Sequence, residues 1–333
     1  MTEVHILDTE ALSGLAGPAA FVDAVREAYR QRGEGAPAEP RTALQSATPP
    51  GLFTTYAAIL PETGVMGGYM YSAGFGAGDA WFLAPLFDAD SGRLLAILDG
   101  ASMNPLKTGA VGAVGVDALA REDASVAAVF GTGTQAAGQL RATATVRDLQ
   151  AVRVFSPTRA HREGFADAMA GVIDGPVTPV EGPAAAIEGA DVVITATDAG
   201  EPVFDGSLLE PGTHVTAMGQ YDPDRFELDA TTIQRALYVP DLDARLQRDA
   251  GAYLNALATG AIEPDHVHAE LGAVVAGRAP GRTDPDQITV FDSGGTGIET
   301  TAGAHLLYER AREADRGTAV AFTPASEAFS RPR

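Results

Sequence analysis

Hydrophobic residues change their spacing twice in the first third of the chain. Over Pro18–Arg32 they fall at helical spacing, with Phe21, Val22, Val25 and Tyr29 on one side and Asp23, Arg26 and Glu27 elsewhere. Pro18 suits the first turn of that helix, where a missing N–H costs nothing. From about Arg41 to Asp99 the pattern becomes short extended runs broken by Gly and Pro. LFTTYAAIL, GGYMYSA, WFLAPLFD and RLLAILDG read as successive strands of a mostly antiparallel sheet. Asn104 and Pro105 then carry the N-cap and N1 character of a helix running to about Ala120, which puts Lys107 in its first turn.

After that helix the grammar changes again. SVAAVF, AVRVFS, ADVVITAT, THVTAMG, ALYVPD and QITVFDS are short, nearly all-apolar runs separated by helical segments. Such runs mark strands of a parallel sheet covered on both faces. A final amphipathic helix is expected over Gly297–Arg312. The tail after Gly317 has little periodicity and is expected to be mobile. The chain shows no internal repeat.

Composition narrows the function classes. A length of 333 residues suits one large or two medium domains, and 45% hydrophobic residues exclude wholesale disorder. Apolar runs such as Leu94–Leu98 are too short to span a bilayer. No charged leader precedes an apolar stretch at the start, so a soluble, cytoplasmic protein is expected. Cys is absent, which removes disulfides, thiolate nucleophiles and Cys-based metal sites. The His266/His268 pair reads as a solvated loop pair, and no metal site is expected. A net charge of −21 without a basic stripe argues against nucleic acid. Acid spread over the whole chain, with 22 Arg and the single Lys107, looks like adaptation to high salt, where self-repulsion is screened.

The segment SVAAVFGTGTQAAGQL is strand, then Gly131-x-Gly133-x-x-Ala136, then helix. Gly131 permits the tight turn, Gly133 lets backbone approach a pyrophosphate, and Ala136 allows close helix packing. The helix N-terminus offers free N–H groups to phosphate. At the end of the next strand an NAD site usually carries an acid for the ribose diol. Here Ser156, Thr158 and Arg159 stand there instead, which suits a 2′-phosphate, so NADP(H) is favoured and NAD(H) remains open.

With these segments in order, the chain resembles the ornithine cyclodeaminase/mu-crystallin family, which includes archaeal alanine dehydrogenases and ketimine reductases. The resemblance rests on LFDADSGRLLAILDG, GTGTQA, PGTHVTAMG with DPDRFELD, and ITVFDSGGTGIE. It implies an α/β protein with a Rossmann dinucleotide-binding domain over 121–299. It also implies an α+β substrate and dimerisation domain built from 1–120 with 300–333, and a homodimer. Cofactor contacts carry over to Gly131, Gly133, Thr134, Gln135, Ser156, Thr158 and Arg159, and further to Thr195, Ala196, Met218, Gly219, Ser293 and Gly294. The family's basic trio for the substrate carboxylate falls on Arg41, Tyr69 and Lys107. The acid beside ornithine in cyclodeaminases falls on Ala58, and their catalytic Asp falls on Tyr221.

A cation in a first helical turn works against the dipole by about 0.3–1 kcal/mol, which suggests that Lys107 serves an anion. That anion is expected to be the carboxylate of a small amino or imino acid, held by Lys107 with Arg41. The leading expectation is an NAD(P)H-dependent oxidoreductase of a C–N bond, with Lys107 or Tyr69 as proton donor and Arg41, Tyr69, Lys107 and Tyr221 around the substrate. Two alternatives stay open. One is a cyclodeaminase with retained NAD in which Asp222 replaces the missing Asp; the other is a non-catalytic, NADP-dependent binder of small ligands.

Overall fold

A computed structural model describes residues 2–330; of the expected segment 300–333, the last three residues lie outside the described ones. The chain opens with β1 (Thr2–Leu7), the short α1 (Thr9–Leu12) and α2 (Pro18–Gly33). It continues through β2 (Thr42–Ala47), β3 (Pro50–Leu60), β4 (Val65–Gly74), β5 (Asp79–Asp88) and β6 (Leu94–Asp99). Strands β2 to β6 form an antiparallel meander, and β1 joins β6 in parallel. Alternation sends Tyr56, Tyr69, Tyr71 and Leu86 inward, where they are buried. The other face carries Leu44, Phe53, Met70, Trp81 and Leu83, all exposed, with Trp81 at 71% and Leu83 at 51%.

Helix α3 spans Gly100–Leu119, and here the expected start is corrected. The N-cap is Asp99, whose carboxylate accepts the Ala101 N–H at 3.1 Å, and Pro105 lies inside the helix. Lys107 therefore sits two turns in, away from the exposed N–H groups, and the dipole argument for an anion does not apply to it. Asn104-Pro105 imitates a start that Asp99 has already supplied. The helix is apolar all round and correspondingly buried, between α2, α10 and the parallel sheet. Gly109 lets it touch the next helix closely: a Cβ there would lie 2.4 Å from the Gly138 carbonyl oxygen.

A second sheet follows, with β7 (Val126–Phe130), β8 (Ala151–Phe155), β9 (Val177–Pro179), β10 (Val192–Thr195), β11 (His214–Ala217), β12 (Ala236–Pro240) and β13 (Ile288–Asp292). Between them run α4 (Thr134–Thr143), α5 (Arg159–Met169), α6 (Pro183–Ile187), α7 (Ala230–Arg235), α8 (Gly251–Ala258) and α9 (Leu271–Val275). All pairings are parallel, in the order β12-β13-β11-β10-β7-β8-β9. The chain leaves β7 toward β8 and β9, then crosses to β10 on the other side. A crevice at the carboxyl ends of β7 and β10 follows from that reversal. This is the Rossmann-like arrangement expected from the all-apolar runs.

The last segment is α10 (Gly297–Glu313), β14 (Thr318–Phe322) and α11 (Ala325–Ser330). Helix α10 packs on the inner face of β3 and β4. The tail is not the mobile segment expected: β14 pairs antiparallel with β1 from Thr2↔Phe322 to Ile6↔Thr318 and completes a seven-stranded sheet in the order β14-β1-β6-β5-β4-β3-β2. Thr318, Val320 and Phe322 supply β-favouring side chains. Five residues are too few for a periodic signal to stand out. Among the described residues no helix is long and apolar enough to cross a membrane.

Candidate functional site

The carboxyl edge of the parallel sheet assembles one side of the site. In the strand registers Phe130 pairs with both Phe155 and Thr195, and Ala217 pairs with both Thr195 and Asp292. Gly131, Ser156, Ala196, Met218 and Ser293 thus leave the sheet along one edge. Gly131 has φ 104, and a Cβ there would lie 2.3 Å from the Ala196 carbonyl oxygen, so only glycine turns the chain at this point. A Cβ on Gly133 would meet nothing within 4 Å, so its backbone faces open space. Gly133 caps α4 without any side-chain hydrogen bond, which leaves the first N–H groups of the helix free. Gln135 Oε1 is buried and unpartnered beside them. Backbone space, free donors and an orphaned amide oxygen fit a dinucleotide pyrophosphate and its neighbouring groups.

Two buried carboxylates hold this edge in shape. Glu227 accepts from Thr195 Oγ1 at 2.8 Å, Thr197 N–H and Oγ1 at 2.7 Å each, and Gly219 N–H at 2.8 Å. Burial raises its carboxyl above the usual range, against the pull of those donors. Asp241 accepts from Ser293 Oγ and Gly294 N–H at 2.9 Å each, and burial pushes it up to about 6. Thr195 and Ser293 therefore spend their hydroxyls on buried acids. Sequence reasoning missed both acids. Glu227 lies inside a stretch quoted for its resemblance, without a reason of its own.

On the next strand Ser156 follows β8, Thr158 is the N-cap of α5 without a side-chain cap bond, and Arg159 is its first residue. The Arg159 side chain is 73% exposed and touches Glu163 at 2.7 Å. Arg162 is buried instead, donating to the Ser156 carbonyl at 3.0 Å and to Glu181 at 2.6 Å.

The opposite side of the cleft comes from β3, β4, β5 and α3. The cavity holds about 720 Å³ and reaches from Gly133–Gln135 to Arg41, Lys107 and Tyr221. Arg41, just before β2, donates to the carbonyls of Gly294 and Gly295 and lies 3.9 Å from the Tyr221 ring centroid. Lys107 is buried, and its Nζ meets Glu299 Oε1 at 3.3 Å, with the rings of Tyr69 at 5.0 Å and Tyr56 at 5.7 Å. Burial lowers the ammonium below the usual lysine range, and Glu299 opposes that. A Cβ on Gly295 would lie 3.5 Å from Arg41 Nη2, 3.7 Å from Lys107 Nζ and 3.6 Å from Glu299 Oε1. Both cations thus converge on one small space.

Glu299 was not foreseen, although TGIE carries its signal. It is the N3 residue of a capping box with Thr296 at the start of α10, and Thr296 N–H donates to Oε1 at 2.5 Å. Tyr29 donates to Oε2 at 3.3 Å. Tyr69 is placed otherwise than expected. Its hydroxyl donates to the Gly100 carbonyl at 2.6 Å, and burial pushes its pKa well above the usual phenol value. Tyr56, Tyr71 and Phe82 line the cleft where Tyr69 does not. Tyr221 is 44% exposed over Arg41. Asp222 lines the cleft, with Oδ1 accepting the Asp224 N–H at 2.9 Å. His266 and His268 each turn a ring nitrogen to a main-chain carbonyl, of Ile233 at 2.7 Å and Pro280 at 2.8 Å.

Comparison with known proteins gives a consistent picture. The model of the ornithine cyclodeaminase/mu-crystallin family matches residues 6–315. The Δ1-pyrroline-2-carboxylate reductase of Bacillus cereus is 33% identical over 239 residues, 71% of this chain and 73% of its own length. The structure of Thermococcus litoralis Δ1-pyrroline-2-carboxylate reductase, in complex with NADH and L-proline, superposes with a TM-score of 0.90 at 29% identity, covering 95% of this chain and 100% of that one. An archaeal alanine dehydrogenase dimer with bound NAD superposes with a TM-score of 0.89 at 28% identity, covering 97% and 100%.

Proposed function

The chain belongs to the ornithine cyclodeaminase/mu-crystallin family, and on that premise we propose that it is an NAD(P)H-dependent oxidoreductase acting on the C–N bond of a small amino or imino acid. The convergence of Arg41 and Lys107 beside Gly295, in the cleft that also holds the free start of α4, carries this reading. Residues 121–299 serve as the dinucleotide domain, and 1–120 with 300–333 serve the substrate and dimerisation.

When bound along the edge from Gly131 to Ser293, the dinucleotide supplies the hydride. Thr134 and Gln135 present backbone N–H groups, while Ala196, Met218 and Gly219 form the floor. Arg41 takes the substrate carboxylate; Tyr221 stacks on its guanidinium and fixes its plane. Lys107 shares that anion and holds a proton at Nζ for the substrate nitrogen. The pairing with Glu299 keeps the ammonium charged despite burial, which accounts for lysine here. A compact charge with a movable proton fits between Tyr56 and Tyr69, and a guanidinium does not release one. Tyr69, committed to Gly100, is a positioning residue. The cyclodeaminase alternative draws no support from Asp222, which caps its own loop.

For the cofactor, Ser156, Thr158 and Arg159 favour NADP(H): a hydroxyl, a free helix start and an exposed guanidinium suit a 2′-phosphate. The exposed row of Leu44, Phe53, Met70, Trp81 and Leu83 supports a homodimer through the antiparallel sheet, and the net charge of −21 supports a salt-rich setting. Light scattering in molar salt should give a dimer, and a monomer would contradict it. The catalytic reading is tested by screening cyclic imines, 2-oxo acids with amines, and L-amino acids for change in reduced cofactor. Consumption of NADPH with an imino acid is expected. Tight binding of cofactor and carboxylates without turnover of any of them would favour the non-catalytic binder.

A further inference from the structure

The inner wall of β4 and β5 steps down in size toward their turn. Tyr71 pairs with Phe82 across the strands, the rings stacked at 4.7 Å with 26° between planes. The next inward pair is Ala73 with Ala80, and both pairs line the cleft. Two methyl groups thus follow two rings and leave a hollow beside them. No acid stands on this wall: among the described residues the acids lining the cleft are Asp198 and Asp222, on loops that leave β10 and β11. Of the cations lining the cleft, Arg41 meets backbone carbonyls and Asp249, Lys107 meets Glu299 beside the rings of Tyr56 and Tyr69, and Arg225 donates to the Asp198 carbonyl.

A side-chain ammonium in this hollow would lose water and meet only ring faces, with no carboxylate on the wall to pair with. An aromatic or branched aliphatic group would bury apolar area against Tyr71 and Phe82. Resting on the reading above, we propose that this hollow is the side-chain subsite for 2-imino monocarboxylic acids with aromatic or branched aliphatic side chains, and that it rejects a terminal ammonium. Arg41 and Lys107 anchor the carboxylate and Tyr71, Ala73, Ala80 and Phe82 read the side chain.

Binding and turnover test this separately. Calorimetric titration of the dinucleotide-loaded protein with 3-phenylpropanoate, butanoate and 5-aminopentanoate should show the first binding about tenfold or more tighter than the second, with the third weakest. In turnover, phenylpyruvate with methylamine should exceed pyruvate with methylamine in kcat/KM by a similar factor. Ala73→Phe should fill the hollow and reduce the aromatic advantage to below about twofold; Ala80→Asp should improve binding of 5-aminopentanoate. Equal binding of 3-phenylpropanoate and butanoate, or an aromatic advantage that survives Ala73→Phe, would overturn the subsite. If pyruvate turns over without aromatic preference, only the subsite falls. If 3-phenylpropanoate binds preferentially but no 2-oxo acid consumes cofactor, the subsite stands and the redox reading falls.

Discussion

The two walls of the cleft are built by different means. The wall proposed for the dinucleotide is one edge of one sheet, where Gly131, Ser156, Ala196, Met218 and Ser293 each follow directly after a strand and much of what is offered is backbone. The wall proposed for the substrate gathers side chains from β3, β4, β5, α3 and α10, and its buried pair, Lys107 and Glu299, is 192 residues apart. A site made of backbone depends on the carboxylates that hold its loops. A site made of side chains depends on charge pairing within a buried cluster, so the two walls should fail in different ways.

The largest separable effect is expected from Glu227→Ala. It leaves two backbone N–H groups and two hydroxyls without their acceptor, so dinucleotide affinity should fall by about 100-fold, the scale of losing several charge-assisted bonds. Thermal stability should drop as well, while the geometry around Lys107 is retained. Titration of reduced cofactor by fluorescence checks the first part. An unchanged Kd would dissolve the contrast between the walls.

Glu299→Gln addresses the other wall. Removing the carboxylate leaves burial unopposed and lowers the Lys107 pKa further. The alkaline limb of kcat/KM, where the ammonium is lost, should therefore move to lower pH, with cofactor Kd unchanged. A structural role for Glu299 alone would lower the rate at every pH and leave the limb in place.

Acid separates the walls again. His214 lies inside β11 with its ring nitrogens 2.9 Å from Thr289 Oγ1 and Thr216 Oγ1, and burial holds its pKa down at about 3, against 6.5 ordinarily. The folded state thus binds fewer protons than the unfolded one. The stability contributed by neutral His214 is complete above about pH 6.5 and is lost as pH falls toward 3, at about 1.4 kcal/mol per unit. Denaturant unfolding at pH 7 and pH 5 should show wild type losing about 2 kcal/mol more than His214→Gln over that interval. A smaller change is expected at the rim. NADPH should bind at least tenfold tighter than NADH, about 1.4 kcal/mol, and Arg159→Ala should narrow that gap. Equal affinities in wild type would remove the 2′-phosphate assignment.

How much of this was legible follows the same division. The dinucleotide edge was readable because glycine spacing, strand and helix lie within one short segment, and the parallel strands are apolar enough to stand out. In the antiparallel sheet β3 to β6 were readable as short extended runs set off by Gly and Pro. Strands β1 and β14 were not, because each is short and finds its partner at the opposite end of the chain. The misplaced start of α3 came from a local imitation, Asn104-Pro105, of a cap that Asp99 provides one turn earlier. The aromatic cluster of Tyr56, Tyr71 and Phe82 looked like ordinary strand hydrophobics until the pairing of β4 with β5 stacked two of them in the cleft. Glu299 was readable only as a helix cap. Its second partner required the tertiary packing of α10 against α3.

On the proposed mechanism Lys107 acts on the substrate and leaves the cofactor alone. Single-turnover oxidation of bound NADPH by an imino acid, compared between wild type and Lys107→Ala in molar salt, separates the two roles. A loss of about 10²-fold or more in the rate, with NADPH affinity unchanged, is the predicted result. Equal rates in the two proteins would contradict it.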